Sequence, residues 1–394
     1  MCGRFSVGWF IGGMICLLVS LQASVLKSRD PNRISEITYR YPVITLPQMA
    51  GAIEVDGKLD AREWQICTKQ PLVDLYSGRL SDRSLVLQLA YSDKGIHVGV
   101  RSEYPQVMKY RGQIDQQREI LHIEVKDQFA QRSSYQFVLE QTGKTRAYAP
   151  SLGEKRPISD GDWVASALTG KKDVTYEVTL PFDTFRRQVP EPGTTWEILV
   201  WLEYGQGLRT LVGSSVLPQS GSREFAYLNF GGKDAPCLWL SSAGNVSSTE
   251  TGLILEGSRG IGAASAVKVV GECYMPQRAD LNFFEAFDGS VQPANAMDPA
   301  DRLVSASQAM ASTTKGFKPQ PPVSQTLELR SGALQSARFL RPAVDGVGLV
   351  HVRVLDAKTE MIVAAWSMLV DKPDALRVDA TILVGERQQV AVDT

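Results

Sequence analysis

The residues of this chain best suited to chemistry are aromatic rather than nucleophilic. In the run TTWEILVWLEY, residues 194 to 204, a period of two puts Trp196, Ile198, Val200, Leu202 and Tyr204 on one face. It leaves Trp201 on the other, beside Glu197, Leu199 and Glu203. An indole on a polar face is a flat apolar plate for an amphipathic ligand such as a pyranose, with polar neighbours to select its hydroxyls. Trp163, which follows SDGD at a loop-to-strand position, is a second such plate, and Tyr104 and Tyr110 follow the strand GIHVGVRS. The polar faces of neighbouring strands carry Gln88, His97, Arg101, His122, Glu124, Gln136 and Glu140. This set either lines one sheet surface with Trp201 or forms an ordinary solvated face.

Signatures of catalysis are missing from the sequence. It contains no HExxH, no GxSxG and no phosphate-binding loop. The glycines of GLILEGSRGIGAAS, residues 252 to 265, precede AVKVVGECY, a strand-like run that supplies no helix N-terminus for a phosphate. Nothing singles out two of the 43 acids as a glycosidase pair. The chain therefore reads as a non-enzyme.

Charge and cysteine usage narrow the setting. Lys plus Arg (42) nearly equals Asp plus Glu (43), a balance unsuited to a surface that holds nucleic acid. Residues 1–24 join an early Arg to an apolar run from Phe5 to Leu21, with small residues Ala23 and Ser24 at its end. This is read as an export signal, which places the protein in a periplasmic, cell-surface or extracellular setting; the alternative is an uncleaved membrane anchor. Removing the leader leaves Cys67, Cys237 and Cys273, without metal-ligand spacing. A Cys237–Cys273 bridge and no bridge both remain open.

The elements that must position these residues are strands. Residues 25–44 form a lead-in without sustained period. From there SLVLQLAYS, GIHVGVRS, EILHIEVKD and SYQFVLEQ alternate apolar and polar residues, and SDKG joins the first two as a hairpin. DVTYEVTLPF, TTWEILVWLEY and REFAYLNFG complete the set, and GKDAPC marks a boundary. Many short strands with regular turn signals predict a two-sheet sandwich over residues 45–232. Further strand-like runs predict a second, immunoglobulin-like sandwich over 237–394, and a short helix is read at 297–312.

In order along the chain, IEVDGKLDAREW (53 to 64), LVLQLAYSDKGIHVGV, EILHIEV, YQFVLEQTG, YEVTLPFDTF, GTTWEILVW and FAYLNFG resemble the family 9 carbohydrate-binding modules and their DOMON-like relatives. The resemblance covers about residues 45–232. It implies an all-β, jelly-roll-like sandwich that binds polysaccharide or oligosaccharide, sometimes with structural calcium, and a Trp64 packed under the Asp-Gly turn. Asp56 and Asp60, four apart across that turn, either bond nearby amides or contribute to a calcium site. The family's sugar-binding members carry facing loop tryptophans. Loops 102–118 and 205–222 of this chain have none, which leaves Tyr104 and Tyr110 as the substitutes.

The expected function is thus an exported carbohydrate-binding protein using Trp201, Trp163, Tyr104, Tyr110, Arg101 and Glu124. The alternative is a structural or protein-interaction module that has lost sugar binding. A third reading, haem held by His97 or His122 on adjacent strands, follows from the DOMON resemblance. Oligomeric state is not legible.

Overall fold

A computed structural model describes residues 42–51, 53–74, 85–103, 119–127, 134–151, 156–204, 210–213, 225–243, 252–259, 265–276, 317–319, 323–331, 335–340, 346–372, 377–379 and 391–393. The leader, the lead-in up to residue 41, Tyr104, Tyr110 and the helix expected at 297–312 lie outside these residues. Among the described residues no helix is long and apolar enough to cross a membrane.

The fold is all-β, as the alternation predicts. The first half contributes β1 (Val43–Leu46), β2 (Thr68–Pro71), β3 (Val73–Asp74), β4 (Leu85–Tyr91), β5 (Gly95–Glu103), β6 (Glu119–Lys126) and β7 (Tyr135–Glu140). It continues through β8 (Thr145–Ala149), β9 (Arg156–Pro157), β10 (Val164–Thr169), β11 (Asp173–Pro181), β12 (Thr195–Tyr204), β13 (Thr210–Gly213) and β14 (Ala226–Phe230). The second half begins with β15 (Pro236–Ala243), β16 (Gly252–Arg259), β17 (Ser265–Pro276) and β18 (Phe317–Pro319). Next come β19 (Val323–Leu329), β20 (Gln335–Leu340), β21 (Gly346–Asp356) and β22 (Ile362–Lys372).

Two large sheets stack in the first half. One runs β1-β14-β12-β6-β7-β8-β9 and the other β10-β11-β5-β4-β2. The apolar positions read from the sequence meet between them: Leu87, Leu89, Val98, Val100, Leu121, Ile123, Phe137, Trp196, Ile198 and Val200 are all sealed in one cluster. Burial on this scale supplies most of the driving force for the layer, at about 25 cal/mol per Å² of apolar surface.

The sheets do not stop at the sequence boundary. β1 pairs with β22 at Val43 and Ala365, and β2 runs parallel to β15 with Lys69 beside Trp239. Both sheets therefore pass into the second half, which has its own apolar cluster around Leu238, Leu255, Val269, Val352 and Trp366. Polar contacts fill the join. The Trp366 indole donates to Gln70 Oε1 at 2.7 Å, the Trp239 indole donates to the Cys67 carbonyl at 2.9 Å, and the Thr45 hydroxyl bonds the Val363 carbonyl.

Trp64 packs into the core, 1% exposed, as the resemblance implies. The Asp-Gly turn before it is held by a buried carboxylate. Glu177 Oε2 accepts the Asp56 and Gly57 amides, each at 3.0 Å, and Oε1 accepts the Trp64 indole at 2.8 Å.

Candidate ligand-binding groove

The outer face around Trp201 is not an open plate. Trp201 is 4% exposed. Its cross-strand partner is His122, whose ring stacks on the indole at 3.6 Å and 6°, and Leu199 and Phe225 pack beside it. The charged residues of that face satisfy one another. Lys126 meets Glu197 at 3.2 Å and lies over the Phe225 ring, and Glu203 approaches His122 at 3.7 Å. Glu124, itself buried, accepts the Ser134 hydroxyl at 2.8 Å. Strand alternation places Trp201 outward correctly, but contacts from distant segments close over it.

Trp163 is likewise sealed, at 4% exposure, with its ring 5.2 Å from Phe137 in the inter-sheet core. A stacking role in water is thereby removed from both indoles, a correction to the sequence expectation. The proposed polar set also divides. Gln88, His97 and Arg101 stand on one sheet; His122, Glu124, Gln136 and Glu140 stand on the other. Arg101 is committed to Asp173 at 2.8 Å, on the opposite side of the sandwich from Trp201.

His97 and His122 do not approach each other, because their strands lie in different layers. Both His97 ring nitrogens meet hydroxyls at 2.9 Å, Nε2 with Ser92 and Nδ1 with Thr179. Both ring nitrogens are thus engaged within the protein. At the Asp-Gly turn, Asp56 bonds the Lys58 amide at 2.7 Å and Asp60 the Arg62 amide at 2.7 Å. Among the described residues no three His, Cys, Asp or Glu side chains cluster with metal spacing.

A groove of about 690 Å³ opens elsewhere, at the end of the sandwich where β7 begins and β8 and β11 end. Two single 3-10 turns shape it. The first, Asp160–Asp162, follows the short edge strand β9. The second, Phe182–Phe185, follows Pro181 and pins its apolar residues, Phe182 and Phe185, into the core. Arg186 ends this second turn at φ 55°, ψ 41°, its amide donating to the Asp183 carbonyl. The left-handed conformation is costly for a side-chain-bearing residue and holds Arg186 at the groove wall. The turns are tied together by the Thr184 hydroxyl, which bonds the Asp162 carbonyl.

The lining combines apolar and ionic groups. Tyr135, Ile158, Pro150, Pro157 and Pro181 supply the apolar surface, while Arg156, Arg186, Asp162 and Asp183 stand exposed around it. None of these four charged side chains has an ion-pair partner among the described residues. By contrast, Arg187, one residue beyond the wall, is fully engaged with the buried Asp127 at 2.6 Å. Tyr135 is half-buried, its ring edge-on to Phe185 at 4.8 Å. Burial holds its phenol above the usual range and the Asp127 carboxylate pushes the same way, opposed by the Arg187 and Arg186 guanidiniums. The phenol thus stays protonated at neutral pH. Sequence reasoning missed this groove because its walls come from four separated segments, none with a motif.

No family model matches the sequence, and no curated protein matches it. Solved structures with similar chain traces include a candidate carbohydrate-binding protein from Bacteroides uniformis, at 13% identity and a TM-score of 0.37, covering 48% of this chain and 99% of that one. A family 9 carbohydrate-binding module from Caldicellulosiruptor kristjanssonii in complex with cellotriose matches at 11% identity and a TM-score of 0.35, covering 48% of this chain and 93% of that one. Similarity at this level assigns no ligand to the present chain.

Proposed function

We propose that this chain is a non-catalytic carbohydrate-binding protein that takes an oligosaccharide in the groove between the two 3-10 turns. The observation that carries the reading is the lining itself: a half-buried Tyr135 ring and prolines surrounded by four exposed charged side chains that have no ion-pair partner among the described residues. A pyranose has the matching character, an apolar C–H face and a rim of hydroxyls that both donate and accept. The Tyr135 ring takes the C–H face. Arg156 and Arg186 donate to hydroxyl oxygens while Asp162 and Asp183 accept from hydroxyl hydrogens. The volume suits a short oligosaccharide segment. The family resemblance of the sequence and its leader-like N-terminus support an exported setting for such a binder.

Screening the full chain against an array of neutral and uronic-acid oligosaccharides, together with Tyr135→Ala and Arg186→Gly, tests the proposal. Retention on a saccharide that both substitutions weaken supports it. Saccharide binding indifferent to both, or none across the array, overturns it.

One observation favours a second reading, a cell-surface protein-interaction module. The two tryptophans expected from the sequence to stack on sugar, Trp163 and Trp201, are both sealed. A specific protein partner captured in the absence of any saccharide retention selects that reading.

A further inference from the structure

The two cysteines whose surroundings are described, Cys67 and Cys237, belong to different halves of the chain and meet where the second sheet passes between them. Cys67 immediately precedes β2, and Cys237 is the second residue of β15. These strands run parallel with Trp239 beside Lys69. Stepping back two residues on each strand sets Cys237 beside Cys67 on the same face, because side chains repeat every second residue.

Two contacts hold that register. The Trp239 indole donates to the Cys67 carbonyl at 2.9 Å, and the Lys69 ammonium lies over the Trp239 ring at 4.5 Å. Paired strands lie about 4.8 Å apart. That separation falls within the roughly 4.4–6.8 Å between Cα atoms that a disulfide spans. Both residues are buried, Cys67 under the cluster of Met49, Ile53 and Trp64 that covers this part of the sheet.

We propose that Cys67 and Cys237 form a disulfide site that fastens the first half of the chain to the second, closed by exchange with a disulfide oxidant as the two strands dock. One cysteine thiolate attacks the oxidant's S–S bond, giving a mixed disulfide and releasing one thiol. The second thiolate displaces the other thiol. Two protein S–H groups are oxidised, one oxidant disulfide is reduced to two thiols, and the two cysteine protons end on those thiols.

Timing follows from burial. In the docked strands both thiols are pushed up to about 12. Thiolate is then scarce at neutral pH, so exchange belongs to the folding chain, and a bond once buried is shielded from reductant. The reduced pair is accommodated as well, with Cys67 Sγ 3.0 Å from the Trp64 carbonyl. The bond would close a loop containing every strand from β2 to β14, the long-loop case in which a cross-link constrains the unfolded chain most. This inference is independent of the groove.

The test folds the full chain in a glutathione buffer poised oxidising or reducing, blocks free thiols under denaturing conditions and maps the peptides by mass spectrometry. The expected result is a Cys67–Cys237 linked peptide from the oxidised sample alone. Its melting temperature should stand several degrees above the reduced form, and this difference should vanish in Cys67→Ala and in Cys237→Ala. Recovery of both cysteines blocked as free thiols after oxidative folding overturns the proposal, as does a link from Cys237 to Cys273.

Discussion

The indole N–H of Trp64 donates to the carboxylate of Glu177 at 2.8 Å, across 113 residues of sequence. The same carboxylate receives the Asp56 and Gly57 amides. An acidic side chain from β11 thus closes the turn that precedes the tryptophan and stops it from opening at the sheet edge. Burial raises the Glu177 carboxyl above its usual range, with the three donors pulling the other way. Glu177→Ala leaves two buried donors, the Gly57 amide and the Trp64 indole, and the part-buried Asp56 amide without an acceptor, and should cost about 3 kcal/mol. Glu177→Gln keeps one acceptor oxygen and should cost less. Urea unfolding measures both; equal, negligible losses would contradict the clasp.

Gly57 gives a second check on this turn. Its φ is +87°, and an added Cβ would lie 3.0 Å from Ser166 Oγ and 3.2 Å from Leu168. Gly57→Ala therefore meets both backbone strain and crowding against β10, and should destabilise by about 1–2 kcal/mol. Gly143→Ala has the same positive φ but open space around it. It should cost less, and the difference between the two in thermal unfolding isolates the close approach.

Acid should weaken the fold through His97. Burial pushes its pKa down to about 4, below the ordinary 6.5, with Asp93 opposing and Lys94 assisting. The unfolded chain then binds the proton more readily than the folded one. This histidine's contribution is fully present above about pH 6.5 and is lost as pH falls toward about 4, amounting to at most about 3 kcal/mol. His351, buried and held well below its usual range, acts in the same direction. Urea unfolding between about pH 7.5 and about pH 4.5 should show a steeper loss for the wild type than for His97→Gln. Parallel slopes would contradict the assignment.

The join between the halves should unfold with them. Gln70 and Trp366 bond at 2.7 Å inside it, both buried. Gln70→Ala leaves a buried indole N–H without its acceptor and should cost about 1–3 kcal/mol. Calorimetry should show one transition for the whole chain, shifted down in the variant. Two well-separated transitions, with only one affected, would indicate halves that fold apart.

Much of the architecture was legible in the alternation of the sequence. Leu121, Ile123 and Val125 on one strand and Trp196, Ile198 and Val200 on another reach the core as their period requires. Trp64 was legible through the resemblance. Exposure was not. Period two places Trp201 outward, yet it cannot register that His122 stacks on it or that Phe225 packs beside it, because both covers depend on pairing between distant segments. Nor does it say which strands share a sheet, so Arg101 and Glu124 were grouped although they belong to opposite layers. The groove escaped for a similar reason: a backbone turn sets the position of Arg186, and Arg is not a residue type that announces a left-handed conformation.

Arg186 gives the most direct test of the binding account. At φ 55° the position suits glycine better than arginine, so Arg186→Gly should leave stability unchanged or raise it by up to about 1 kcal/mol while removing the guanidinium from the groove. Isothermal titration of wild-type and Arg186→Gly protein with a saccharide retained in the array screen separates folding from binding. The account predicts an affinity loss of about tenfold or more in a variant that melts no lower than the wild type. Undiminished affinity in that variant would contradict it.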